Sequence, residues 1–220
     1  MAIHKKYYKE ATVFKNKGDL IDKIFKPTDN ALDVGFWGQG ITRSNKSWGH
    51  DLIRHKVKYL FGIDLSEEIK SLDKQLYNYE VKNAEEFNYE HKFNTIYAGD
   101  LIEHVSNPGK FLESCKKSLS ENGTIIISTP NTFNLFNIIE KIFKTEPTIN
   151  HDHVAYYNIK TLNTLLTRHN LLIKKIGFIH SLETKYKQSS FKKIQNFIYF
   201  ILSLFTNKYL ETLVLFIADK

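Results

Sequence analysis

The sequence predicts an α/β fold: a twisted, mostly parallel sheet with helices on both faces. Three observations carry that prediction. Apolar strand-like runs alternate with helix-like stretches along the chain. The run Ala31-Leu32-Asp33-Val34 enters a glycine-rich turn, Gly35-Phe36-Trp37-Gly38-Gln39-Gly40. A second run, Phe61-Gly62-Ile63-Asp64-Leu65, ends on a carboxylate. Glycines let backbone approach a ligand closely, and an acid after the second strand suits a ribose diol. A nucleoside-type cofactor is therefore the first expectation.

The elements follow in order. Residues 10–25 read as an amphipathic opening helix, with Val13, Leu20, Ile21 and Ile24 inward. The first strand covers about 31–36, a helical stretch lies near 45–55, and the second strand covers about 59–64. Ser66-Glu67-Glu68 starts the next helix, with the serine hydroxyl as its cap and the acids favoured by the helix dipole. A short strand is expected near 79–82 and a fourth at Phe93–Gly99. Asn107-Pro108 opens a helix to about Leu119, with proline at the first helical position. Glu121-Asn122-Gly123 is a turn signal. Thr124–Ser128 is a fifth strand, apolar on both faces as a buried central strand should be. Residues 133–143 and 158–169 read as helices, and Leu171–Ile179 and Thr212–Ala218 as the last two strands.

The 220 residues suffice for one domain with a substantial core, and 42% of them are hydrophobic. There is no repeat, low-complexity run or Pro/Gly/Ser linker, so residues 1–220 are read as one domain. The single cysteine, Cys115, excludes an internal disulfide and fits a reducing cytosol. The first ten residues hold no apolar core of signal-peptide length. The net charge of +7 allows phosphates, anionic sugars or an anionic membrane face. The lysines are dispersed rather than blocked, so a solvated surface is the simpler reading.

Four blocks in order resemble the class I S-adenosylmethionine-dependent methyltransferases, over about residues 25–180. They are Leu32-Asp33-Val34-Gly35 with Gly38 and Gly40; Gly62-Ile63-Asp64-Leu65; Asn83-Ala84-Glu85-Glu86; and Asn94 to Val105 with the Pro-Gly that follows. One departure stands out: Trp37 is an extra residue in a turn whose family pattern alternates glycines, so the loop must bulge. The resemblance implies a Rossmann-like seven-stranded sheet with an antiparallel last strand. It implies a cofactor-binding half at about 25–120 and acceptor-side elements at about 128–170 and 185–208.

The resemblance also implies roles. S-adenosylmethionine would meet Asp33, Gly35, Phe36, Trp37, Gly38 and Gly40 at the turn. Asp64 would accept from both ribose hydroxyls, a geometry suited to an ionised carboxylate. Leu65, Asn83, Ala84 and Glu85 would lie by the adenine, and Asp100 and Leu101 by the methionyl part. Simpler readings stay open. Asp64 could cap the helix starting at Ser66, the Asn83 block could be an ordinary helix start, and the turn could serve a nicotinamide.

Methyl transfer from a sulfonium needs the acceptor atom in line, water excluded and, for a hydroxyl, a proton removed. Histidine suits that last task near neutral pH. His153 is the first candidate base, then His104 and His151. His104 could equally be a core hydrogen-bonder. His151 and His153 could share one face as metal ligands, but without a clear third ligand no metal centre is expected.

The run Asn196–Phe205 is strongly apolar, with Phe191, Ile194, Ile198, Ile201 and Phe205 at helical spacing. It is shorter than the ~20 residues that span a bilayer. It reads as a helix packed on the sheet or on a second subunit, giving a homodimer, or as an interfacial helix reaching lipid-linked acceptors. The resemblance, which is also to bacterial glycan-cluster methyltransferases, implies O-methylation of a small molecule, with a sugar or glycan precursor first; a quinone or lipid-linked acceptor is second because of the apolar helix. Nucleic acid is disfavoured, since no base-methylation block is present. A non-catalytic cofactor-binding partner subunit is the competing class, and the histidines argue against it. The expected location is the cytoplasm, with peripheral contact at the inner membrane face as a variant.

Overall fold

The computed structural model describes residues 7–38, 48–143, 145, 150–179, 201 and 212–219. Its elements are β1 (Thr12–Phe14), α1 (Lys17–Ile24), β2 (Asn30–Val34), α2 (Gly49–Arg54), β3 (Tyr59–Asp64), a 3-10 turn (Glu67–Ser71), β4 (Asn78–Val81), β5 (Phe93–Gly99), α3 (Pro108–Ser118), β6 (Leu119–Pro130), α4 (Leu135–Phe143), α5 (Ile159–Arg168), β7 (Leu171–Ile179) and β8 (Thr212–Asp219).

All eight strands join one sheet in the order β1-β7-β8-β6-β5-β2-β3-β4. Every pairing is parallel except the two made by β8, which runs antiparallel to β6 and β7. The seven expected strands are all present, with the expected antiparallel last strand. The eighth, β1, corrects the reading of 10–25 as a single helix. Thr12-Val13-Phe14 extends and pairs with Gly177-Phe178-Ile179 of β7. The helix starts only at Lys17, where the Asn16 side chain accepts from the Asp19 amide at 2.9 Å. The close approach of β1 depends on Gly177, where a Cβ would lie 2.9 Å from the Thr12 carbonyl oxygen.

Two further boundaries differ. The helix expected after Ser66 is a 3-10 turn, with Ser66 as its cap as read. The fifth expected strand extends back to Leu119 as the start of β6 and absorbs the turn signal, with Asn122 at φ +61°. That conformation suits asparagine.

The sheet is buried on both faces, and the period of two sorts its side chains. Leu32, Val34, Ile96, Ala98, Ile125 and Ile127 pack on one face with Phe111, Leu112 and Cys115 of α3 and Ile159, Leu162 and Leu166 of α5. Ala31, Leu60, Tyr97 and Ile126 pack on the other with Leu20 and Ile21 of α1 and Ile53 of α2. Strand order reverses between β2, which leads outward to β3 and β4, and β5, which leads to β6. Ligands of open α/β sheets bind beyond the carboxyl ends of the strands at such a point. The glycine turn after β2 and Asp100 after β5 both stand there.

Candidate active site

The turn after β2 is held open for close approach. Gly35 sits at φ +73° and donates its amide to the Ile63 carbonyl at 2.8 Å. A Cβ on Gly35 would lie 2.8 Å from Leu101 Cδ1, so only glycine fits. Gly38 also has positive φ, at +67°. Gly40 lies outside the described residues.

Trp37, the extra residue, is fixed beside the turn. Its indole donates to Glu68 Oε2 at 2.8 Å and meets Trp48 edge-on. Phe36 is buried, and its carbonyl accepts from the Trp48 indole at 3.0 Å. Asp33 is 4% exposed, and the His50 Nδ1 donates to its Oδ2 at 2.9 Å. Asp33 therefore anchors the base of the turn through His50. His50 was missed in the sequence, where nothing local marks it as the partner of a residue seventeen positions earlier.

Asp64 closes β3. Its Oδ2 accepts from the Trp37 amide and its Oδ1 from the Ser66 amide, each at 2.9 Å. A carboxylate offers about four acceptor sites, so one lone pair on each oxygen remains. The true cap of the 3-10 turn is Ser66, whose hydroxyl accepts from the Glu68 amide. Leu65 beside it is 70% exposed. Asn83 forms a tight turn by accepting from the Glu85 amide at 2.9 Å, and Glu85 in turn accepts from the Asn107 amide at 2.9 Å. Ala84 packs against the main core.

Asp100 follows β5 at φ +51°, a conformation costing a non-glycine residue about 1–3 kcal/mol and common at functional sites. Ser128 of β6 holds it there: the serine hydroxyl donates to Asp100 Oδ1 at 2.9 Å. Lys17 at the start of α1 pairs with Asp100 Oδ2 at 2.6 Å. Sequence reading missed Lys17, because the pairing joins positions far apart in the chain.

The segment around His153 docks against the turn after β5. The Val154 amide donates to the Glu103 carbonyl at 2.9 Å, and His104 Nδ1 donates to the Asp152 carbonyl at 3.2 Å. These bonds bring His153 to His104, their rings 4.6 Å apart and edge to face. Glu103 completes the group. It is 1% exposed, its Oε2 accepts from the Thr129 hydroxyl at 2.9 Å, and its Oε1 has no partner among the described residues. Such an orphan costs about 1–3 kcal/mol. Burial, with the Asp100 charge adding, pushes the Glu103 carboxyl up to about 7. Burial, with His104 adding, lowers the basicity of His153. Ligand atoms of Glu103, His104 and His153 all lie within 4.8 Å of one another.

His151 stands apart. Its side chain is 89% exposed and pairs with Asp152 at 3.1 Å. Of the three histidines expected, the structure brings together two. Glu103 precedes His104 in the chain, but only the fold reveals its burial.

Residues 12–175 match the family model described as "Methyltransferase domain". The chain belongs to that family. A ubiquinone biosynthesis O-methyltransferase of Histophilus somni is 31% identical over 102 residues, 44% of this chain and 43% of that one. Its counterpart in Hydrogenovibrio crunogenus is 25% identical over 170 residues, 70% of this chain and 67% of that one. The chain thus spans about half to two thirds of the length of these curated relatives. A SAM-dependent methyltransferase structure from Archaeoglobus fulgidus superposes with a TM-score of 0.61 at 18% identity, covering 93% of this chain and 92% of that one; the likeness is one of fold. S-adenosylmethionine is the cofactor of the methyltransferase domain. Among the described residues no helix is long and apolar enough to cross a membrane. The apolar stretch 191–205, apart from Ile201, and most of 185–208 lie outside the described residues.

Proposed function

We propose that the protein transfers a methyl group from S-adenosylmethionine to a hydroxyl oxygen of a quinone-type ring. The observation that carries the reading is the Glu103–His104–His153 group, placed at the carboxyl ends of the strands beside Asp100.

The residues at the switch point suit the cofactor. The Gly35 turn leaves the space that a side chain would fill, and the remaining lone pairs of Asp64 match a ribose diol. Leu65 offers an exposed apolar surface for the adenine. The Lys17–Asp100 pair has the charges that complement an amino-acid zwitterion, with Asp100 toward the ammonium and Lys17 toward the carboxylate. When bound, S-adenosylmethionine supplies an electrophilic methyl group on a sulfonium. Asp100, Leu101 and the turn fix where that methyl stands. The Glu103–His104–His153 group promotes loss of the proton from the acceptor hydroxyl, so the oxygen lone pair can form the new C–O bond while the C–S pair stays on sulfur.

Two features support a quinone-type acceptor over the sugar. The curated relatives act in ubiquinone biosynthesis. Exposed apolar side chains also stand on the segments that follow: Val154 next to His153, and Phe133 just after β6. The Asn131–Tyr157 bridge sets those two segments side by side.

The test is mass spectrometry of reactions containing S-adenosylmethionine and either short-chain prenyl hydroquinones or nucleotide-sugars. The reading expects one methyl added to the hydroquinone. Methylation of the nucleotide-sugar alone would refute the acceptor.

A further inference from the structure

We infer that Glu103, His104 and His153 hold a divalent first-row transition-metal ion whose open positions take the acceptor oxygen.

The donor set is one carboxylate and two imidazoles, contributed by the turn after β5 and by the segment docked against it. Donors on one ion, with bonds of about 2.0–2.2 Å, lie about 3–4 Å apart. The three ligand atoms already fall within 4.8 Å of one another, so small side-chain rotations close the set. The residues are also oriented as ligands usually are. His104 donates Nδ1–H to the Asp152 carbonyl, which fixes the tautomer and leaves the Nε2 lone pair for a cation. Thr129 donates to Glu103 Oε2, which turns the carboxylate and leaves Oε1.

Oε1 is the second and independent observation. It is a fully buried oxygen of a carboxylate with no partner among the described residues. A buried carboxylate left half-satisfied is what a missing cation leaves behind. Lys17, whose charge reaches Glu103, is already paired with Asp100.

Two imidazoles favour a transition ion of the zinc, iron or manganese type over magnesium, which prefers oxygen donors and its own waters. Three protein ligands leave positions open, as catalytic centres require. An acceptor hydroxyl bound there ionises more readily, its proton passing to solvent, and a second neighbouring oxygen would fix its orientation. This role rests on the methyltransferase reading; the binding itself does not. The group is then a third-ligand answer to the His151/His153 pairing considered from sequence, with Glu103 and His104 in place of His151.

The experiment uses the full chain stripped with a chelator. Co2+ is titrated while its ligand-field absorption is recorded, and Zn2+ binding is measured by calorimetry. Glu103→Gln, His153→Ala and, as a control, His151→Ala are compared with wild type. S-adenosylhomocysteine binding is measured in each protein. The expected result is one equivalent of metal in wild type and His151→Ala, with affinity reduced about tenfold or more in Glu103→Gln and His153→Ala. All four should bind S-adenosylhomocysteine. Wild type that binds S-adenosylhomocysteine but neither Co2+ nor Zn2+ overturns the metal site and leaves the methyltransferase reading standing. Metal binding that survives both ligand variants, or that is lost in His151→Ala, places the ion elsewhere and also overturns it. Absence of S-adenosylhomocysteine binding in wild type strikes the reading beneath.

Discussion

At the residue scale, neighbours in sequence have opposite fates. His151 and His153 are separated by one residue, yet one is solvated and the other faces His104. His153→Ala should therefore lower the methylation rate by about 10²–10⁴-fold, the usual range for a group that assists proton transfer. His151→Ala should leave it within about twofold, since exposed side chains away from the chemistry contribute little. Steady-state rates with the methylated product quantified would check the contrast. Gly35 gives a second test. Alanine there meets both a positive φ, costing about 1–2 kcal/mol, and Leu101 at 2.8 Å. Gly35→Ala should lower the unfolding free energy by at least that amount and weaken cofactor binding, read from urea titration and calorimetry. Cys115 is fully buried, and burial pushes its thiol above the ordinary range. It should stay unreactive to a thiol reagent in native protein and react at once in denaturant.

At the element scale, what the chain's sequence revealed depended on the reach of the signal. β3 and β7 begin and end where the apolar patterns do, because each strand is long enough to show its own periodicity. β1 was hidden inside a helical pattern. It has three residues, and its pairing partner lies more than 160 positions away. The 3-10 turn after Ser66 shares its capping signals with an α-helix, so sequence could place the start but not the type. The site divides in the same way. Gly35, Asp64 and Asp100 sit in local motifs and could be read directly. His50, Lys17 and the buried state of Glu103 arise from contacts between distant segments. The β1–β7 edge is itself testable. Gly177→Ala would press a methyl against the Thr12 carbonyl at 2.9 Å, and backbone cannot swing aside as a side-chain tip can. It should cost about 1–3 kcal/mol in a denaturant unfolding experiment, the usual penalty for overpacking.

At the scale of the whole molecule, strand order reverses between the parallel neighbours β2 and β5, and that reversal organises everything else. It brings the glycine turn, Asp64 and Asp100 to one edge. The segment around His153 then docks over the same edge through Glu103 and His104. In the proposed reaction the Gly35–Asp64 side would hold the methyl donor and the His104–His153 side the acceptor. We propose that this end of the sheet binds S-adenosylmethionine through Asp64. Calorimetric titration with S-adenosylhomocysteine, on wild type and on Asp64→Ala, tests it most directly. Hydrogen bonds to a charged group contribute about 1.5–3 kcal/mol each, so the account predicts one site in wild type and an affinity at least about tenfold weaker in the variant. An absence of binding in wild type, or equal affinity in both proteins, would contradict it.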